Sequence, residues 1–250
     1  MMKPGRYAVA WPRMQWAMVM VVLLAGCGAP EESPPGSQPE TAAGTPVAEA
    51  TAVEAPAVEA PAVDATVAKR TVLVMGDSLS AGYGMAASQG WVALAGQKLA
   101  AEHPGWRMVN ASISGETTAG GAARIEAELA RVEPEVVVVA LGANDGLRGL
   151  PLEQSRDNLA RMVRAAKAAG AEVLLVGMRM PPNLGPAYTE GFEANYRAIA
   201  AAEDVPLLPF LLEPIARDRG AFQDDNLHPN AAVQPQLRDH VWPALEPLLD

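Results

Sequence analysis

The chain has one cysteine and three histidines among 250 residues, and it lacks two common active-site motifs. A single cysteine excludes an intrachain disulfide. No G-x-S-x-G sequence is present, which argues against the α/β-hydrolase class with its nucleophile elbow. Gly82-Tyr83-Gly84 is an incomplete G-x-G-x-x-G motif, so it indicates a flexible loop and not a nucleotide site.

Basic residues are also scarce. Lys and Arg number 19 against 29 Asp and Glu, which gives a formal net charge of −10. An acidic chain is a poor candidate for binding nucleic acid, because the phosphate backbone requires positive charge. We therefore expect no nucleic-acid partner.

The first 26 residues have the layout of an export signal. A basic start is followed by the apolar run Trp16–Leu24, which is short for a membrane-spanning helix. Leu24-Ala25-Gly26-Cys27 resembles the lipobox of bacterial lipoproteins, in which the cysteine is acylated after cleavage before it. We predict a lipoprotein signal peptide over 1–26 and lipidation of Cys27; the alternative is an ordinary signal peptide with an incidental cysteine. Gly28 favours the outer membrane, because the aspartate that retains some lipoproteins at the inner membrane is missing.

Residues 27–69 differ in composition from the rest of the chain. After Cys27 they are rich in Pro, Ala and Glu, contain no aromatic residue and include the near-repeat Val53–Asp64. Such a segment cannot bury enough apolar surface to fold. We predict a disordered tether that links an anchored Cys27 to a domain over 70–250, on the periplasmic or cell-envelope side of a membrane.

Residues 70–250 alternate short apolar runs with segments of helical periodicity. This alternation indicates βαβ units and a parallel sheet. The expected fold is α/β, a three-layer α/β/α sandwich. The predicted strands are Thr71–Met75, Arg107–Ala111, Glu135–Leu141, Glu172–Met178 and Pro206–Pro209, and the predicted helices are Trp91–Ala100, Ala119–Arg131, Glu153–Ala169, Glu190–Ala202 and one after Pro229.

Ser78 follows the first predicted strand, Thr71–Met75, at the point where Gly76 ends the apolar run. In open α/β sheets ligands bind at the carboxyl ends of the strands, so this serine is a candidate nucleophile. The alternative is that Asp77-Ser78 only caps the next helix. Gly115, Asn144 and His228 lie in polar segments after later strands, and all four are expected to meet at one edge of the sheet.

The chemistry of these residues is complementary. A serine needs a base, and the base works best when a carboxylate orients it. His228 is the preferred base over His103 and His240, and Asp225, three residues before it, is preferred to Asp224 as its partner. The backbone N–H groups of Ser78 and Gly115 and the Asn144 amide suit an oxyanion hole. Alone, Asn144-Asp145-Gly146 would be an ordinary turn.

These blocks together resemble the SGNH (GDSL) hydrolase family, whose four namesake residues match Ser78, Gly115, Asn144 and His228. The resemblance spans nearly all of 71–250. It implies a flavodoxin-like sheet, a catalytic triad of Ser78, Asp225 and His228, and neither metal nor cofactor. It also implies a loop at Gly142–Gly149 that moves on acyl-chain binding. Ala143 departs from the expected second glycine and could stiffen this loop.

The resemblance implies a serine esterase or thioesterase that hydrolyses aryl esters, lysophospholipids or acyl thioesters through an acyl-enzyme. The first alternative is an O-acetyl esterase acting on envelope carbohydrate, and the second is a non-catalytic lipoprotein. We expect a monomeric catalytic domain that meets the membrane through its lipid anchor. Residues that could line an acyl groove, or else pack in the core, are Leu147, Met178, Met180, Pro181 and Pro182.

Overall fold

A computed structural model describes residues 70–250. The predicted signal peptide, lipidation site and tether lie outside this range and stay predictions. In the described residues, five strands form one sheet in which every neighbouring pair is parallel. They are β1 (Arg70–Gly76), β2 (Trp106–Asn110), β3 (Val136–Ala140), β4 (Glu172–Val176) and β5 (Leu207–Leu208).

The strand order is β2-β1-β3-β4-β5, the flavodoxin-like order that the resemblance implied. The chain leaves β1 toward β2 on one side and returns to β3 on the other, so the crevice of the sheet opens at the carboxyl ends of β1 and β3. Val72 pairs with Val136, and Gly76 with Ala140. The segments that follow these two ends are the ones that carry Ser78 and Asn144.

The two central strands are buried on both faces. Val136 to Val139 are fully inaccessible to solvent, and so are Val72 to Met75. Continuous runs of β-branched and other apolar residues are typical of strands that helices cover on both sides. The burial therefore fixes the ends of β1 and β3 at the centre of the domain.

The helices form two groups. Helix α3 packs against α5, and α5 against α6, whereas α2 packs against α7 and β2. This arrangement confirms the predicted sandwich. The helices are α1 (Ser78–Ala81), α2 (Trp91–Glu102), α3 (Thr118–Val132), α4 (Ala143–Leu147), α5 (Leu152–Ala168), α6 (Pro186–Glu203) and α7 (Gln234–Leu245), with 3-10 turns at Ala87–Gln89, Pro182–Leu184, Arg219–Ala221, Ala231–Val233 and Glu246–Leu248.

Apart from shifts of one or two residues at the ends of the predicted strands and helices, three details differ from the sequence predictions. Helix α6 begins at Pro186, four residues before the predicted start, because proline is favoured in the first helical turn. Helix α4 was not predicted, and a helix capped by Asp77 was expected only in the alternative interpretation of Asp77-Ser78. Helix α4 corrects the description of Gly142–Gly149 as a loop, since Ala143–Leu147 is helical. Helices of one turn carry too few residues to show a periodicity.

The first and last described residues lie side by side. The Arg70 guanidinium donates to the carbonyl oxygens of Leu249 (3.4 Å) and Asp250 (2.8 Å) and lies 4.4 Å from the centre of the Trp106 ring. Because Arg70 begins β1, both ends meet at the amino edge of the sheet. Between residues 70 and 250, none of the helices is sufficiently long and apolar to span a bilayer.

Candidate active site

Ser78 is held in a tight segment that we call the nucleophile turn, Gly76–Gly82. Asp77 is almost fully buried, and its Oδ1 accepts the N–H of Leu79 at 3.0 Å as the cap of α1. Gly82 ends the helix in the left-handed region, with φ of 76°. Asp77 does cap a helix, as the alternative interpretation held, and the same cap directs Ser78 to the carboxyl edge of the sheet.

His228 and Asp225 lie on a segment that we call the base loop, Gln223–Pro229. The Asp225 Oδ1 accepts the backbone N–H groups of Leu227 (2.9 Å) and His228 (3.0 Å). These hydrogen bonds fold the loop around the carboxylate and, together with the hydrogen bond to the His228 ring, lower the Asp225 pKa to about 2. The carboxylate is ionised at neutral pH, and these hydrogen bonds keep it ionised in more acidic solution.

The two segments bring three side chains into a line. His228 Nε2 lies 2.9 Å from Ser78 Oγ, and His228 Nδ1 lies 2.6 Å from Asp225 Oδ2. Both distances are within hydrogen-bonding range. The predicted competitor, Asp224, is exposed, and among the described residues its side chain forms no hydrogen bond or ion pair with His228.

The other two histidines lie elsewhere. His240 Nε2 contacts the carbonyl oxygen of Phe210 at 2.9 Å, and the His103 ring packs 6.1 Å from that of Trp242. His103 also forms, with Glu102 and Glu246, the one cluster within 70–250 whose ligand atoms lie close enough for a metal ion. Neither of these histidines lines the cavity beside Ser78.

The predicted oxyanion donors lie around the cavity beside Ser78. Gly115 follows β2 with φ of 80°, a conformation that glycine adopts without strain. Asn144, in the first turn of α4, donates from Nδ2 to the carbonyl oxygen of Glu116 (3.0 Å) and lies 3.5 Å from Asp77 Oδ2. Ser78, Gly115 and Asn144 all line one cavity.

Asp145 is a site residue that the sequence did not reveal. Its buried carboxylate accepts the backbone N–H (2.8 Å) and the hydroxyl (2.5 Å) of Thr118 and the hydroxyl of Ser155 (3.2 Å). These bonds fix α4, and with it the Asn144 amide, against the start of α3. The only sequence signal was its place in a turn-like Asn-Asp-Gly run.

The Asp77 carboxyl has an unusual titration. Burial raises its pKa from 3.8 to about 6, although the Leu79 N–H and His228 oppose the increase. A carboxylate in an apolar environment loses hydration, so its neutral form is favoured. Asp77 therefore titrates close to neutral pH. The same carboxyl caps helix α1 and lies 3.5 Å from the Asn144 amide nitrogen.

The cavity that opens beside Ser78 has a volume of about 680 Å³. All five predicted groove residues line it, and Met178 and Met180 are at the same time buried in the core. The sequence did not reveal several further apolar lining residues that lie in the chain after β5. These are Phe210, Leu212, Ala216, Phe222 and Leu227.

Tyr83 is another site residue that the sequence did not reveal. Its ring lies 4.4 Å from the His228 ring, tilted by 37°, and 51 % of the residue is exposed at the cavity mouth. In the sequence it stands between two glycines, a pattern that we interpreted as loop flexibility.

Comparison with known proteins identifies the family of the chain. The family described as GDSL-like Lipase/Acylhydrolase matches residues 74–234. Esterase TesA of Pseudomonas aeruginosa is 52 % identical over 182 residues, 73 % of this chain and 90 % of that protein. Thioesterase 1/protease 1/lysophospholipase L1 of Escherichia coli K12 is 44 % identical over 180 residues, which cover 72 % of this chain and 85 % of that protein.

A solved structure supports the same assignment. The crystal structure of TesA aligns with a TM-score of 0.70 at 52 % identity, covering 72 % of this chain and 99 % of that one. The family match spans the nucleophile turn, the oxyanion candidates and the base loop. The chain belongs to the GDSL-like lipase/acylhydrolase family and is a carboxylic ester hydrolase.

Proposed function

We propose that the chain is a serine esterase and thioesterase that hydrolyses acyl esters through a covalent acyl-enzyme. The observation that carries this proposal is the line of hydrogen bonds from Ser78 Oγ through His228 to Asp225, at 2.9 and 2.6 Å. A serine becomes an effective nucleophile when a positioned base removes its proton.

The first half of the reaction forms the acyl-enzyme. Ser78 Oγ attacks the carbonyl carbon of the ester as His228 Nε2 takes the hydroxyl proton. Asp225, ionised because of its lowered pKa, accepts from Nδ1 and stabilises the imidazolium. The tetrahedral intermediate collapses, and His228 returns the proton to the departing alcohol or thiol.

The second half releases the acyl group. Water attacks the Ser78 ester while His228 takes one of its protons, and the collapse of this intermediate gives the free acid and restores the serine. In both halves the oxyanion accepts hydrogen bonds from the N–H groups of Ser78 and Gly115 and from Asn144. Loss of one such donor typically costs about 10²–10³ in rate.

The substrates are proposed to be aryl esters, lysophospholipids and acyl thioesters. The apolar cavity supports this class, since about 680 Å³ is within the usual range for small-molecule sites and far exceeds what an acetyl group needs. The names of the relatives support it as well, because they include an esterase and a thioesterase/lysophospholipase.

The protein is further proposed to be an exported lipoprotein anchored through Cys27, with the outer membrane favoured. The sequence of the first 27 residues supports this proposal. Expression of Cys27→Ser with an alkyne fatty acid should abolish the acyl labelling that the wild type shows and move the protein from membrane to soluble fractions. Equal labelling of both proteins would refute lipidation at this residue.

The catalytic proposal is tested with p-nitrophenyl esters from acetate to palmitate. The wild type should show a rate maximum at medium or long chains, and Ser78→Ala should be inactive and fail to react with a fluorophosphonate. Ser80→Ala is the matched control, since Ser80 lies in the same short helix with a buried hydroxyl that makes no hydrogen bond within the described residues. Full turnover by Ser78→Ala would overturn the proposed mechanism. Activity of the wild type on the acetate ester alone would overturn the proposed substrate class.

A further inference from the structure

The base loop is an exposed segment. Asp224, Asp225, Asn226 and Leu227 are all exposed, and only Pro229 in the loop is buried. Its stem is closed by the backbone N–H of Gln223, which donates to the carbonyl oxygen of His228 at 2.8 Å, beside the antiparallel bridge of Phe222 and Pro229. These contacts shape the loop internally, but they do not fix its distance from Ser78.

Besides His228, a second side chain of the base loop reaches the chain at the end of the nucleophile turn. Gln223 Nε2 donates to the carbonyl oxygen of Tyr83 (2.8 Å) and to that of Pro229 (3.1 Å). The backbone N–H of Tyr83 in turn donates to the carbonyl oxygen of Ser78 at 3.2 Å. We call the two bonds from Nε2 the Gln223 bridge. The bond to Tyr83 joins residues 140 positions apart in sequence, and the bond to Pro229 stays within the base loop.

The contact is close on the Tyr83 side. A Cβ at Gly84, which has φ of 74°, would lie 2.1 Å from Gln223 Oε1, so only glycine lets the amide approach this backbone. The segment Tyr83-Gly84 also brings the Tyr83 ring to 4.4 Å from the His228 ring. The Gln223 bridge thus fixes the backbone of the residue whose ring covers the imidazole.

We propose that Gln223 is a positioning residue, whose bridge sets the separation of His228 Nε2 and Ser78 Oγ for proton transfer. It acts through main-chain carbonyl groups and does not touch the reacting atoms. The inference rests on the proposed function of Ser78 and His228. Because misplacement of a catalytic group by about 1 Å can cost about 10² in rate, loss of the bridge should lower turnover without weakening the binding of substrate.

The test is Gln223→Met in the full chain, which keeps the length of the side chain and removes its N–H donors. We expect kcat on a p-nitrophenyl ester to fall about 10- to 100-fold, with KM within about twofold of the wild type. Gln97→Met is the matched control, because Gln97 is exposed on α2, outside the cavity lining, and the chemical change is identical. It should retain the wild-type kcat.

A spectroscopic readout separates positioning from a loss of folded protein. The chain has only three histidines, so selective ¹⁵N labelling gives ring signals for His103, His228 and His240 alone. Gln223→Met should broaden or shift the His228 signals and leave the other two unchanged. Gly84→Ala, whose Cβ would overlap with Gln223 Oε1, should produce the same pattern from the other side of the contact.

Two outcomes would overturn the inference. One is wild-type kcat in Gln223→Met with an unchanged His228 spectrum. The other is a fall in kcat that only follows the loss of folded protein measured by circular dichroism. In either case an active wild type and an inactive Ser78→Ala would leave the proposed function intact, whereas an inactive wild type would remove the basis of both.

Discussion

The nucleophile turn and the base loop supply the two halves of the same candidate site, but they are held by different forces. The nucleophile turn follows a fully buried strand, and Asp77 and Ser80 within it are each only 1 % exposed. In the base loop, four consecutive residues, 224–227, are exposed, and backbone hydrogen bonds and the Gln223 bridge fix its shape.

This contrast predicts that substitutions in one segment mainly change stability and that substitutions in the other mainly change activity. A change in the nucleophile turn alters packing at the centre of the domain, where small volume changes are felt. A change in the base loop removes hydrogen bonds that water can largely replace, but it moves or misorients the imidazole. Substitutions in the two segments should therefore fall into two classes, and the following predictions test that division.

The largest effect is expected for Asp225→Asn in the base loop. Asparagine keeps the shape but cannot stabilise the imidazolium, so kcat should fall about 10³- to 10⁴-fold. The melting temperature should change little, because Asp225 is exposed. Asp224→Asn, a neighbouring exposed carboxylate, is the control and should be fully active. Similar activities for the two variants would remove Asp225 from the mechanism.

Asp77→Asn in the nucleophile turn should change the pH dependence of stability. The Asp77 pKa is about 6 in the folded protein against 3.8 for an ordinary aspartate. Between these values the unfolded chain ionises first, so the wild type should lose stability relative to the variant as the pH rises. The expected loss is about 2 kcal/mol between pH 4 and pH 7, since one pKa unit corresponds to about 1.4 kcal/mol and part of the difference is already lost at pH 4.

Urea unfolding of both proteins at several pH values measures this difference. The asparagine side chain keeps an acceptor for the Leu79 N–H and cannot ionise, and the neighbouring residues His228 and Asp145 are the same in both proteins. Two stability curves that run parallel from pH 4 to pH 7 would show that burial does not raise this pKa.

The smallest effect is expected for Gly76→Ala. A Cβ at Gly76 would lie 2.7 Å from Ser80 Cβ and 2.8 Å from Ser112 Oγ, both in packed surroundings. Overpacking of this kind should reduce the free energy of unfolding by about 1–3 kcal/mol. Gly96→Ala is the control, because its nearest neighbour, Met108 Cβ, is 3.4 Å away and a helical alanine should stabilise slightly. A neutral Gly76→Ala would contradict the tight packing of the turn.

The sequence was informative where signals are local. The valine-rich strands and the alternation with helices predicted the parallel sheet, and the Asp-x-x-His spacing favoured the pairing of Asp225 with His228; the flavodoxin-like type came from the family resemblance. These features depend on neighbouring residues or on a period, which a single sequence displays. The predicted mobility of Gly142–Gly149 and the effect of Ala143 stay predictions.

What the sequence did not reveal depends on distant partners. Gln223 is informative only once Tyr83 is beside it, and Asp145 only once Thr118 and Ser155 surround it. Such contacts have no spacing rule, because the fold decides which loops meet. Lone polar residues in turn-forming segments therefore resemble ordinary turns until the tertiary structure is known.

The contact of Arg70 with Leu249 and Asp250 has a practical consequence for handling the enzyme. Strand β1 runs from this contact to the nucleophile turn, so both ends of the described chain lie at the pole opposite the cavity mouth. A fusion partner or a surface coupling attached directly at Arg70 or at Asp250 would lie away from the mouth. Immobilisation of residues 70–250 through either of these ends should therefore keep the cavity accessible to substrate from solution.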